Sequence, residues 1–421
     1  MIPFLSAFFR TLWLARHLKT REDVAKWQAR GLKRLMRKTL PAFPYYAHLH
    51  DHRFKDLPVM DFDALPVMDK AQLMTNFAQL NAPGITADEG WKIFSGDAPQ
   101  RRGYSIGAST GTSGNRGLYV VSDQERQAWL GVMLAKTLPR FPRDTARIAL
   151  ILPLNSALYK TAAVTPRLSL RFFDLNDGLD AIFARLPDYR PDTIIAPPKV
   201  LRALAERGMN LPLRRIFSGA EVLDPLDKTV IEARFHLRVR QIYMATEGLL
   251  GVACDHATLH LCEDVMHFDF EAVAGSDLVS PVITDFTRTT QAMCRYRMND
   301  LLRLSQTPCP CGSPYQAVTE IAGRCDDLFQ LSGQTITPDI LRNAVVDADR
   351  RITDFRLRQT EPANLDLILP LDVPAEAALK AKEAISTLLS GLNIDAHIAL
   401  RQESLSTSAR KLRRVERIWK G

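Results

Sequence analysis

Short apolar runs alternate with amphipathic stretches through the middle of the chain. The runs Arg147 to Leu154, Leu168 to Leu175, Asp192 to Pro197, Leu213 to Ala220 and Leu237 to Ala245 have strand length and are rich in branched and aromatic side chains. Between them, "PKVLRALAERG" and "DPLDKTVIEARF" repeat apolar residues at helical spacing. This alternation predicts an α/β fold, a largely parallel or mixed sheet covered by helices. Ligands of such sheets gather beyond the carboxyl ends of the strands. Two polar segments fall there, "SGAE" (Ser218 to Glu221) and "ATEG" (Ala245 to Gly248).

The pattern changes beyond about Gln330, where "TDFRLRQ", "LDLILPL", "AEAALKAKEAISTLL" and "IDAHIAL" predict strands around one amphipathic helix. A boundary near "DDLFQLSG" (Asp326 to Gly333) gives a large domain over 1–325 and a small α+β domain over 326–421. Ahead of the sheet, Thr20 to Thr39 reads as a basic helix, followed by prolines in "LPAFPYY" and "LPVMDK". "SDQERQAWLGVMLAKTL" predicts a helix capped by Ser122 or Asp123.

Composition narrows the classes. A chain of 421 residues needs two or three units, and 46% hydrophobic with 24% charged residues is globular. The net charge of +8 reads as scattered rather than as an aromatic-interleaved patch, so polyanionic small molecules such as nucleotides are expected rather than nucleic acid. The densest basic run, "ARKLRRVERIWK" (Ala409 to Lys420), reads as a solvated helix face or a functional cationic segment. "MIPFLSAFFRTLWLARHL" is interrupted by Arg10, lacks a following cleavage site and is too short to span a bilayer. A docked amphipathic helix is expected, with weak membrane-surface association left open and the cytoplasm as the default location. Oligomeric state, a homodimer included, is not fixed by these features.

"STGTSGNRG" (Ser109 to Gly117) packs three glycines, two serines and two threonines into nine residues. Such a loop either turns the chain or directs backbone N–H groups and hydroxyls at an anion. It is not a Walker A loop, because it has no lysine. It is followed in order by "SGAE", "YMATEG" (Tyr243 to Gly248), "RYRMNDLLRL" (Arg295 to Leu304), "GRCDDLFQLSG" (Gly323 to Gly333) and "SARKLRR" (Ser408 to Arg414).

In this order and spacing the chain resembles the acyl-adenylate-forming superfamily, in its phenylacetate–CoA ligase branch, close to synthetases that adenylylate a deazaflavin cofactor. The resemblance runs from about Pro41 to Lys420 and implies an adenylate-forming large domain with a mobile C-terminal lid. It implies that Ser109, Thr110, Gly111, Thr112, Ser113 and Gly114 hold the β- and γ-phosphates of ATP, Thr246 contacts the α-phosphate and Glu247 binds Mg²⁺. Tyr243, with Gly219, Ala220 and Glu221 opposite, is implied at adenine, and Asp300 and Arg324 at the ribose. Asp326 is the implied hinge and Lys411 the catalytic lysine. The family pattern has glycine where Arg410 stands and Lys-Pro where Asn115 and Arg116 stand; Arg116 is the candidate for the missing positive charge.

The activity implied is ATP-dependent activation of a carboxylic acid, with transfer to a thiol, that of coenzyme A being the one expected first. Transfer to an amine or carrier protein, AMP transfer to a hydroxyl, and non-catalytic nucleotide binding are the alternatives. Met244, Phe217 and Tyr159 suit an aromatic or medium-length apolar acid. All six cysteines fall between Cys254 and Cys325, which speaks against a secreted disulfide framework. Cys254 with His260 and Cys309 with Cys311 form two close pairs able to surround a tetrahedral Zn²⁺, a structural site since no position stays open. Cys262 and His256 are rival ligands, a metal-free cluster is the alternative, and Cys294 and Cys325 read as small core residues.

Overall fold

A computed structural model describes residues 2–53, 61–98, 100–109, 116–152, 167–405 and 412–419. The predicted strands form as Ala146–Leu152, Leu168–Asp174, Thr193–Ala196, Arg215–Ser218 and Val239–Ala245, all parallel to one another. Their order runs from Leu168–Asp174 at the edge through Ala146–Leu152, Thr193–Ala196 and Arg215–Ser218 to Val239–Ala245. Helices Leu179–Tyr189, Pro198–Glu206 and Pro225–Phe235 are the crossovers a parallel order requires.

From Val239–Ala245 the same sheet continues antiparallel through Gly248–Ala253, Leu259–Leu261, Ala317–Arg324, Asp300–Leu304, Leu278–Asp285 and Met266–Ala272. The fold class is therefore α/β with one large mixed sheet. Val239–Ala245 is where the pairing reverses, and "ATEG" leaves its carboxyl end. Helix Asp123–Thr137 is capped by Ser122, whose side chain accepts the Glu125 N–H.

A separate apolar core begins at Phe329 and ends at Val415. It lies between a four-stranded sheet and helices Pro338–Ala348 and Ala375–Gly391. The described part of the basic run differs from the helix expected there. Val415–Arg417 is a strand parallel to Arg356–Glu361, because Val415 anchors in this core while Arg413 and Arg414 find carboxylates instead of water.

The net charge is also not scattered. Residues 1–38 carry ten Lys/Arg and two Asp/Glu, a net of +8, and the remaining residues hold 45 of each sign. The first helix, Ile2–His17, docks as expected: Phe8 packs with Leu134, Ala135 and Leu138, and a Cβ on Gly131 would stand 2.3 Å from the Phe4 carbonyl oxygen.

Candidate active site

A cavity of about 1250 Å³ opens at the carboxyl ends of the parallel strands and runs to the C-terminal unit. Ser109, Ala220, Glu221, Tyr243, Thr246, Glu247, Asp300 and Arg324 all line it, although they come from segments up to 215 residues apart. Gly219 does not line it itself; it lies in the chain between two residues that do, Ser218 and Ala220. Ala220 has a φ of 67°. That left-handed backbone is unusual for a residue with a Cβ and typical of binding sites.

Tyr243 stands on the last parallel strand and donates its hydroxyl to Asp300 Oδ2 at 2.6 Å. Burial, reinforced by the Asp300 charge, holds the phenol well above its ordinary pKa, so it stays a donor. The bond uses one of the carboxylate's four acceptor positions and fixes its plane. Asp300 and Arg324 are direct cross-strand partners where Asp300–Leu304 meets Ala317–Arg324. One step along, Thr246 donates to Glu247 Oε2 at 2.8 Å. Tyr296 hydrogen-bonds Glu247, and burial first and the Glu247 charge second push its phenol up. Glu221 is drawn toward Lys199, 3.3 Å away.

The glycine- and hydroxyl-rich loop is the tip of a hairpin. Strands Tyr104–Ala108 and Leu118–Ser122 pair antiparallel, and at the neck Ser109 N–H donates to the Gly117 carbonyl at 2.7 Å while Ser109 Oγ accepts Gly117 N–H at 2.8 Å. Thr110, Gly111, Thr112, Ser113 and Gly114 lie outside the described residues, as do Tyr159 and Lys411. Arg116 stands at the neck, its Nε 3.4 Å from the Ser109 carbonyl oxygen to which it donates. Its guanidinium lies 5.2 Å from the Trp91 ring and 5.4 Å from that of Phe94, and the residue does not line the cavity. Lys70 does line it, beside the hairpin neck, with its side chain 3.5 Å from where a Gly117 Cβ would stand.

The far wall is aromatic: Tyr104, Tyr119, Trp129 and Phe94 line it, with Met244. Gly107 faces Tyr119 across the hairpin, and a Cβ there would fall 2.2 Å from the phenol ring, so the tyrosine lies flat only because the position is glycine. Phe217 is not part of this wall. It is fully buried under the Arg240 guanidinium, 4.7 Å from its ring centre, because its side chain faces the sheet's packed side. Tyr119 and Trp129 carry no sequence signal that separates them from core residues.

The C-terminal unit closes the cavity with Leu412, Arg413, Arg414 and Val415. Arg414, fully buried, donates two hydrogen bonds to Asp227 (2.8 and 2.9 Å) and one to Asp354 (2.9 Å). Arg202 adds a bond to Asp227 at 3.0 Å and one to the Thr353 carbonyl at 2.9 Å. Arg413 pairs with Asp327 at 2.9 Å; burial nevertheless pushes that carboxyl up to about 6, against the pull of Arg413 and Arg324. Asn299 donates to Asp326 Oδ2 at 2.5 Å and accepts the Asp326 N–H at 3.2 Å, which pins the junction between the units.

Away from the cavity, Cys254, His260, Cys309 and Cys311 place their ligand atoms within 4.8 Å of one another. The hairpin Gly248–Ala253/Leu259–Leu261 supplies the first two and the loop before Ala317–Arg324 the others, joined by the Ala317–His260 pairing. Cys254 and Cys309 sulfurs are 3.8 Å apart, the edge of a tetrahedron with Zn–S bonds of about 2.3 Å. Cys311 Sγ is 3.3 Å from His260 Nε2, and the ring's Nδ1 is 3.1 Å from the Tyr315 carbonyl, which orients it. Cys262 and His256 are not members: Cys262 is buried in the main core, where burial pushes its thiol up to about 12, and His256 is exposed. Cys294 is a core residue as expected and Cys325 is half-buried.

No family model matches the chain, and no curated protein matches it. Solved structures do. A 2-hydroxyisobutyryl-CoA ligase in the postadenylation state overlays with a TM-score of 0.68 at 18% identity, over 93% of this chain and 88% of that one. The same enzyme in its thioesterification state gives 0.53 at 18% identity, over 94% and 89%. A GH3.15 acyl acid amido synthetase gives 0.59 at 13% identity, over 94% and 88%. The chain thus has the fold of the acyl-adenylate-forming ligases.

Proposed function

We propose that the protein activates a carboxylic acid with ATP and passes the acyl group to a thiol, that of coenzyme A being the first choice. The observation carrying this reading is the convergence of Tyr243, Thr246, Glu247, Asp300 and Arg324 on one cavity in a fold used for acyl adenylation. Asp300, held by Tyr243, accepts the ribose hydroxyls, and Arg324 donates beside it. Ala220 and Glu221 border the adenine, with Gly219 behind them. Thr246 turns its hydroxyl from Glu247 to donate to the α-phosphate, and the loop from Ser109 to Gly114 holds the β- and γ-phosphates, with Lys70 and Arg116 the described cations beside its neck. Glu247 is the carboxylate suited to hold Mg²⁺, which neutralises phosphate charge when bound.

The acid lies against Tyr119, Trp129 and Met244, a wall matching an aromatic or medium-length apolar chain. Its carboxylate attacks the α-phosphorus and pyrophosphate leaves, so oxide is exchanged for AMP as leaving group. A thiol then attacks the acyl carbon and AMP departs. The unit 326–421 acts as the lid that rotates about Asp326 between the two steps. The likeness to an amido synthetase keeps an amine as the competing acceptor.

The test is carboxylate-dependent exchange of labelled pyrophosphate into ATP over an acid panel, then mass spectrometry of products with coenzyme A or amines present. Exchange with at least one acid, and its loss in Glu247→Gln, supports the reading. Silence with every acid, or an unchanged rate in Glu247→Gln, removes it.

The four-ligand cluster reads as a structural zinc site, which would cross-link two hairpins and leave the chemistry alone. Purified protein is expected to contain about one zinc per chain by elemental analysis. Cys309→Ser should lose it with a lower melting temperature. Metal-free protein of undiminished stability would dismiss the site.

A further inference from the structure

Helix Ile2–His17 is apolar on two sides. One side is covered by helix Asp123–Thr137. On the other, Ile2, Leu5, Phe9 and Trp13 are 83, 45, 59 and 52% exposed, and their spacing of three, four and four residues aligns them in one stripe. These are four of the nine large apolar side chains exposed among the described residues. The helix has no acidic residue; Arg10, Arg16 and His17 border the stripe, and the His17 ring stacks on Trp13 at 4.1 Å.

The charge of this part of the chain is one-sided. The segment 1–38 holds a formal +8, with Arg21 paired to Glu263 and Lys26, Arg30, Lys33 and Arg34 exposed on helix Arg21–Arg34. Its two acids are engaged within that helix: Glu22 pairs with Lys26, and Asp23 completes the capping box with Thr20. We propose that this face docks flat on an anionic lipid bilayer. The stripe enters the headgroup and acyl boundary while the bordering cations meet lipid phosphates. A second copy is a poor occupant, since pairing these faces sets the bordering Arg10 and Arg16 of one copy against those of the other with no acidic residue on the helix to offset them. A nucleic acid would use the charge and leave Ile2, Leu5 and Phe9 in water. The helix lies on the membrane and does not cross it, as no described helix is long and apolar enough to span one.

The test is flotation of the full chain with large vesicles of phosphatidylcholine containing about a third phosphatidylglycerol, against phosphatidylcholine alone. Binding to the anionic vesicles should be at least about tenfold tighter than to the neutral ones and should fall as salt rises toward about 0.5 M, where the Debye length shrinks to roughly 4 Å. Phe9→Ser with Trp13→Ser should weaken it about tenfold or more at unchanged melting temperature, since both side chains point to water. Arg10→Glu with Arg16→Glu, which leaves the stripe intact, should abolish the preference for anionic lipid. No flotation, equal binding to both vesicles, or wild-type binding by both double variants would overturn the proposal. So would a dimer in sedimentation velocity that dissociates in Phe9→Ser/Trp13→Ser, which assigns the face to a second copy.

Discussion

Lys411→Ala is expected to lower carboxylate-dependent pyrophosphate exchange about 10²–10³-fold, the range for removing one preorganised donor to a charged transition state. Transfer from a chemically made acyl-adenylate to coenzyme A should stay within about twofold of wild type. The asymmetry follows from the lid reading, in which Lys411 serves only the first step; it immediately precedes Leu412 and Arg413, which line the cavity. The chain overlays better on a postadenylation arrangement than on a thioesterification one. A cation needed at the phosphate during adenylation has no task once pyrophosphate has left. Equal loss in both half-reactions would rule out a lysine that leaves between them.

Asp227→Ala is expected to destabilise the docking of the C-terminal unit by about 1–3 kcal/mol, because it removes the buried carboxylate that Arg414 and Arg202 share, while Arg414 keeps Asp354 and Asp224 and Arg202 keeps Glu206. Asp227 is 1% exposed and receives Arg414 by two bonds and Arg202 by one. Burial alone would raise its pKa, yet the arginines hold the carboxyl below its ordinary value. The contribution therefore exists above the unfolded carboxylate pKa near 3.9 and disappears as pH falls through the lower folded value. Denaturant unfolding followed separately by lid and sheet probes is the measurement. Adding Arg414→Met to Asp227→Ala should restore part of the loss, since the second change removes the guanidinium left with fewer partners. Strict additivity would mean that the pair is not coupled.

The parallel strands were legible because each is a short run dominated by branched and aromatic side chains between helical stretches. Tyr243, Glu247 and Asp300 were legible as members of ordered motifs, and the structure adds the bond between Tyr243 and Asp300 that motif order cannot supply. Arg414 was hidden inside a basic run, since nothing local distinguishes a solvated arginine from one that meets Asp227 across 187 residues. Trp129 was hidden by its helix, where a cavity-facing aromatic obeys the same periodicity as a packed one. Phe217 failed in reverse: its position beside "SGAE" suggested the cavity, but strand alternation turned it into the core. The +8 of the first 38 residues needed only counting by segment, and gained meaning when the exposed stripe appeared beside it.

The cavity has walls of different origin: Tyr243, Asp300 and Arg324 come from the large sheet, the aromatic side from one hairpin and two helices, with Met244 from the last parallel strand. On the reading proposed above, exchange of Tyr119 or Trp129 would change which acid is accepted and leave Tyr243, Asp300 and Arg324 in place. Gly107 constrains such an exchange, because any side chain there would displace the tyrosine.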